Sequence, residues 1–284
     1  MISTKDIREI IQVAFCYILT SVVHKPHGFE RIQLDGDLFL RKIQSNSNPK
    51  AIILAIRGGV CHMGAISFYI NLMCHILPDY QVYFFEKLRP MVNFEFSHDV
   101  DICLRYLRNN HPDKKIILAG FSMGGILTWT YLSRGYDRAD LYIPISAPIN
   151  LEEFRSNIHK HISYHILHKR VMRDFRVQND QELLELAGYT QEMQDRNIQE
   201  FLPRLITTQN IWQNKTIAVT GTHDTLLESY PLDLEKFPIL PYSLLVDKGT
   251  HCCYDVINYT CLVIKLFTER TTSVEQILKI ICDR

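Results

Sequence analysis

Hydrophobic and polar positions change rhythm several times along this chain, and each change marks a different element. From Phe29 to Lys42 apolar and polar residues alternate around Asp35-Gly36-Asp37, which predicts a β-hairpin with glycine supplying the turn. The runs Ala51 to Ile56, Gln81 to Phe85, Lys115 to Ala119, Leu141 to Ser146, Thr216 to Thr220 and Tyr242 to Val246 are short, bounded by turn residues and too apolar for a half-solvated sheet. They predict buried parallel strands. Ser67 to Leu77, Ser97 to Asn109 and Gly124 to Ser133 have helical length and period, so the pattern is βα repeated.

The repetition stops after Ser146-Ala147-Pro148. From Leu151 to Trp212 the chain is polar, charged and helical in rhythm, which predicts an inserted helical cap over the carboxyl ends of the strands. Tyr254 to Glu269 and Ser273 to Cys282 close the chain as helices, the second opened by Ser273 and Gln276 as a capping box. At the other end, Ile7, Ile10, Ile11, Ala14, Phe15, Ile18 and Val22 share one helical face behind Ser3. The uninterrupted apolar part of this amphipathic helix, Val13 to Val23, falls short of the roughly 20 residues that span a bilayer. Packing on the body of the protein is its first reading, with peripheral membrane contact through residues 3–23 as the alternative.

The expected fold is α/β: a mostly parallel central sheet with an N-terminal antiparallel hairpin, helices on both faces and a helical cap. The expected parts are an N-terminal helix and lead-in (1–28), a first part of the core (29–150), the cap (151–212) and a second part of the core (213–284). A length of 284 residues suits one such domain. Lysine plus arginine equals aspartate plus glutamate at 31 each, so no net field draws the protein to nucleic acid, and a small or neutral partner is expected. The eight cysteines are scattered, without zinc-ligand spacing or the rhythm of a disulfide scaffold, which fits a reducing, cytoplasmic setting. Residues 3–23 begin with mixed charge and end without a small-residue cleavage site, so no signal peptide is read there and the mature chain is expected to start at Met1.

The candidate chemistry is concentrated in Gly120-Phe121-Ser122-Met123-Gly124-Gly125, which joins an apolar strand to a helix. That is the order of a nucleophile elbow, in which a turn too tight for large neighbours lifts the Ser122 hydroxyl above the sheet. A serine hydroxyl needs a base, and the base needs a carboxylate to fix its tautomer. Asp224, in Gly221-Thr222-His223-Asp224, and His251, in Gly249-Thr250-His251, follow late strands in the required order. Asp233 and Asp247 are the competing acids, and His223 reads as a wall residue of the site. For the oxyanion hole, Met123 supplies one backbone N–H and the loop Arg57-Gly58-Gly59-Val60 the other, from Gly59 or, failing that, Val60.

With these residues in place the chain resembles the α/β-hydrolase family, and within it the YheT-like branch of lipid esterases, over about Ala51 to Asp255. Ser146-Ala147-Pro148 before the cap and Leu240-Pro241 before the last strand belong to the same resemblance. It implies hydrolysis of carboxylic esters, lipid-like in their acyl part, with Ser122, Asp224 and His251 at the triad positions and no cofactor. The family usually carries His-Gly where this chain has Arg57-Gly58, a change that leaves the main-chain donors in place but reshapes the pocket. An acyltransferase or thioesterase would use the same triad. A catalytically silent, hydrolase-fold binding protein for a lipid or a partner is the reading from another class.

Other constellations receive ordinary readings. His159, His161, His165 and His168 sit among lysines and arginines in the cap without a zincin-like glutamate, and read as a solvated helix face. Cys252-Cys253 read as core, as do Tyr164, Phe175, Phe201 and Leu202, for which lining of an acyl tunnel is the alternative.

Overall fold

The computed structural model describes residues 30–43, 46–57, 68–87, 96–159, 162–224, 242–249, 254–270 and 273–283. The expected N-terminal helix lies outside them. Strands β1 (Glu30–Asp35) and β2 (Leu38–Lys42) form the expected hairpin, turned at Gly36 with φ +44°. The remaining strands are β3 (Ile52–Ile56), β4 (Gln81–Lys87), β5 (Ile116–Phe121), β6 (Leu141–Ile145), β7 (Ala218–Gly221) and β8 (Ser243–Val246). Together they form an eight-stranded sheet in the order β1-β2-β4-β3-β5-β6-β7-β8. The hairpin joins antiparallel through β2 and β4, and every later pairing is parallel.

Adjacent residues of a strand face opposite sides of a sheet, so strands that are apolar throughout feed two cores at once. Ile52, Leu54 and Ile56 of β3 join one apolar cluster, whereas Ile53 and Ala55 join the other. The first cluster is completed by helices α2 (Ser97–Asn110) and α3 (Met123–Ser133), through residues such as Val100, Leu104, Trp129 and Leu132. The second is completed by α1 (Phe68–Ile76), through Ile70 and Met73. It also takes Val256, Ile257 and Ile264 of α9 (Tyr254–Arg270) and Ile277 of α10 (Val274–Cys282). The capping box of α10 is formed: the Ser273 hydroxyl accepts from the Gln276 N–H while the Gln276 side chain accepts from the Ser273 N–H.

The antiparallel extension is joined to the parallel body through charge. The buried Glu86 carboxylate of β4 accepts from Arg41 Nε at 2.6 Å and Arg31 Nε at 3.1 Å. Its neighbour Lys87, also buried, reaches Asp37 at 3.0 Å and Asp99 at 2.8 Å. Charges in such positions are retained only when paired, because burial strips them of water.

Between β6 and β7 the chain forms α4 (Leu151–Ile158), α5 (Ile162–Phe175), α6 (Asp180–Leu186), α7 (Gln191–Thr207) and the single turn α8 (Gln209–Trp212). Side-chain oxygens start two of them: Asn179 accepts from the Glu182 N–H, and Thr190 from the Met193 N–H. The long helix α7 packs on α3, with Ile198, Phe201 and Leu205 inside the first core cluster. Trp212 meets Trp129 edge-on at 5.7 Å, and the Thr208 hydroxyl donates to the Leu132 carbonyl at 2.9 Å. Phe201 therefore belongs to the core of the molecule. Two further contacts tie the insertion: an ion pair between Arg155 of α4 and Asp195 of α7, and an edge contact of Tyr189 with Phe96, the residue before α2, at 6.4 Å.

Candidate active site

In an open α/β sheet the crevice lies at the carboxyl ends of the strands, where successive crossovers leave in opposite directions. Here that switch falls between β3, whose partner on one side is β4, and β5 on the other. Ser122 stands immediately beyond β5, and Arg57 immediately beyond β3.

Ser122 has φ 52° and ψ −113°, a combination that an L-residue adopts only when its surroundings impose it. Its N–H donates to the Ile145 carbonyl at 2.8 Å and its carbonyl accepts from Ile126 N–H at 3.0 Å, fixing the turn at both ends. The flanking glycines are required by contact. A Cβ on Gly120 would stand 2.2 Å from the Gly124 carbonyl oxygen, and one on Gly124 would stand 2.3 Å from the carbonyl oxygen of Ile56. Strand, helix and the neighbouring strand end thus meet backbone to backbone around the serine. Inside α3 the Thr128 hydroxyl donates to the Gly124 carbonyl at 3.0 Å, filling the space a side chain on Gly120 would need.

Met123 is the first residue of α3, where N–H groups have no carbonyl of their own helix to bond. The second expected oxyanion donor, Gly59, and its fallback Val60 lie outside the described residues. The loop carrying them leaves from Arg57, whose carbonyl oxygen would be 2.7 Å from a Cβ on Gly124, so it departs beside the elbow. Arg57 itself is buried, with its guanidinium 5.5 Å from the centroid of the Phe84 ring, on the face of the sheet opposite α3.

Asp224 follows β7 and is 1 % exposed, whereas the competing Asp247 after β8 lies in the solvent. Asp233 and His251 are outside the described residues. The two loops that carry Asp224 and lead to His251 are bound together. Thr222 N–H donates to the Val246 carbonyl at 3.0 Å, and His223 N–H donates to the Gly249 carbonyl at 2.8 Å. Lys248 N–H donates to the Thr222 hydroxyl at 2.8 Å. Gly221 lies so close to this turn that a Cβ there would be 2.1 Å from the Gly249 oxygen. The exposed His223 places Nδ1 3.2 Å from the Thr222 hydroxyl. The contact of Thr222 with Lys248 is not legible in the sequence, because nothing local distinguishes this threonine from any other of a loop.

The histidines of the insertion are engaged separately: His165 Nε2 with the His159 carbonyl at 2.7 Å, and His168 Nε2 with Asp180 at 2.5 Å. His161 is outside the described residues, and among the described residues no three histidines, cysteines or acids gather as metal ligands. Burial pushes the thiols of Cys74 and Cys261 up to about 12 and raises Cys103 as well, so none of the three is poised as a thiolate. Cys252 and Cys253 lie outside the described residues. No helix among the described residues is long and apolar enough to cross a membrane.

No family model matches the chain, and no curated protein matches its sequence. Solved structures do match it in shape. An esterase of Pyrobaculum calidifontis aligns at TM-score 0.58 and 16% identity, covering 95% of this chain and 94% of its own. An HSL-homolog from a metagenome library aligns at TM-score 0.59 and 17% identity, covering 93% of this chain and 96% of its own. An esterase/lipase from an uncultured bacterium gives TM-score 0.58 at 13% identity, covering 94% and 98%. At such identities the likeness speaks for architecture, and with the strand order, the hairpin and the strained elbow it establishes that this chain has the α/β-hydrolase fold.

Proposed function

We propose that the protein is a serine hydrolase that cleaves carboxylic esters with a lipid-like acyl part, as the YheT-like branch of the fold would. The observation that carries this reading is the conformation of Ser122. A serine held at positive φ between a buried strand and a helix N-terminus is costly for the fold and useful for presenting an oxygen to a substrate. The buried Asp224 on the loop after β7, tied to the turn that leads towards His251, supports the rest of the triad. Names containing esterase or lipase among the structural neighbours agree with it.

In this mechanism His251 removes the proton from Ser122 Oγ as the oxygen attacks the ester carbonyl, and Asp224 orients the imidazole and stabilises its cation. The carbonyl oxygen, now negative, is held by the N–H groups of Met123 and Gly59. His251 then gives its proton to the departing alkoxide, leaving the acyl group on Ser122. Water, deprotonated by the same histidine, releases the acid and restores the serine.

Labelling by a fluorophosphonate probe tests the reading. The wild-type protein is expected to label and Ser122→Ala to remain unlabelled while folded. Asp224→Asn should lower kcat on a soluble ester by about 10⁴-fold, the scale at which loss of the orienting carboxylate acts. An unlabelled but folded wild-type protein would turn the interpretation towards a silent binding protein.

A further inference from the structure

We propose that the outer face of α5 is a docking surface for anionic lipid bilayers. His165, Lys169 and Arg173 recur every fourth residue, which stacks them on one face of this helix, and Arg176 follows at the turn that ends it. All four are exposed. The other side of α5 meets the protein: Val171 is buried, Met172 and Phe175 are partly buried, and His168 Nε2 is held by Asp180 at 2.5 Å.

Arg176 distinguishes this face from a run of solvated charge. It has φ +57°, its N–H donates to the Arg173 carbonyl at 3.2 Å, and the next N–H, that of Val177, donates to the Met172 carbonyl at 3.0 Å. Helices that end with this pair of bonds most often place glycine where Arg176 stands, because a Cβ is disfavoured at positive φ. An arginine held there at a cost to folding points to a use of its guanidinium outside the fold.

Charge in the insertion is also segregated. Residues 159–176 carry five lysines and arginines against one aspartate, whereas residues 177–195 carry five acids and no lysine or arginine. An anionic surface attracts the first stretch and repels the second, so it orients the molecule on α5. Anionic lipids diffuse within their bilayer and gather beneath a short cationic row, whereas nucleic acid is drawn in by a net positive field, which the balance of 31 against 31 removes. Near such a bilayer each lysine or arginine is worth about fivefold in partitioning. Docking of this kind would serve an esterase of lipids, yet it is a statement about binding and stands apart from the chemistry at Ser122.

Co-sedimentation of the full chain with vesicles tests the proposal. Wild type is expected to bind phosphatidylcholine vesicles containing phosphatidylglycerol at low salt, to leave them at high salt, and to ignore phosphatidylcholine alone. Lys169→Gln combined with Arg173→Gln should weaken partitioning about 25-fold. Arg176→Gly should weaken it about fivefold while raising the thermal midpoint by about one to two degrees, a pairing that a merely structural arginine would not produce. The same loss of charge at Arg270 and Lys279, exposed on α9 and α10, should leave binding unchanged.

Equal binding to phosphatidylcholine alone, or no binding to the mixed vesicles, would overturn the proposal. So would undiminished binding by the Lys169 and Arg173 double variant, which would leave residues 3–23 as the contact. Binding of a DNA duplex through the same residues as tightly as the mixed vesicles would overturn it too. Vesicle binding is read without turnover, so absence of fluorophosphonate labelling would overturn the hydrolase reading and leave this one standing.

Discussion

A serine at φ 52° and ψ −113° pays in stability for the position of its hydroxyl, on the order of 1–3 kcal/mol. Glycine adopts the same conformation without steric penalty, so Ser122→Gly is expected to stabilise the protein by about 1 kcal/mol in urea unfolding while abolishing labelling. A second expectation concerns His111, whose pKa is lowered by burial and then by the neighbouring Lys42 and Lys114. The Tyr83 hydroxyl lies 3.0 Å from its Nε2, a contact that suits the neutral ring. With the folded value below the ordinary 6.5, the unfolded chain binds the proton first as pH falls. This contribution to stability is therefore present above about pH 6.5 and lost as pH drops through the lowered value. The thermal midpoint of wild type should fall more between pH 7.5 and 5 than that of His111→Gln. What the sequence disclosed at this scale was local: glycines two before and two after Ser122 announce a tight turn because their partners are neighbours. Thr222 was illegible because its partner stands 26 residues away.

Among the elements, the strands were read to within one or two residues, because a short apolar run bounded by turn residues is too brief for a buried helix and too apolar for a loop. The insertion was harder. Its helical rhythm is plain, but periodicity reveals that a helix has an apolar face without revealing what that face meets. In the structure α7 turns its apolar face to α3, the elbow's own helix, while Leu186 of α6 is 45% exposed. Phe201→Ala should accordingly cost about 3–5 kcal/mol in denaturant unfolding, as for an aromatic removed from a core. Leu186→Ala should change stability by no more than about 0.5 kcal/mol. Equal effects of the two would mean that α7 is not an anchor.

For the whole molecule, alternating strands and helices identified the class of architecture, yet the order of strands in the sheet had to come from the structure. Order is set by which crossover lies on which side, and neither hydropathy nor composition carries that information. It is also what gathers Ser122, the Arg57 strand end, Asp224 and the turn at Gly249 on one edge from positions almost 200 residues apart. The ion pair of Arg155 with Asp195 has a further consequence. It ties α4 to the first half of α7, so residues 156–194 leave and return to neighbouring points of those two helices. Within the insertion the parts are therefore unequal: α7, packed on the elbow's own helix, holds up the floor that carries Ser122, and any change of length or shape that spares this floor falls in α5 and α6.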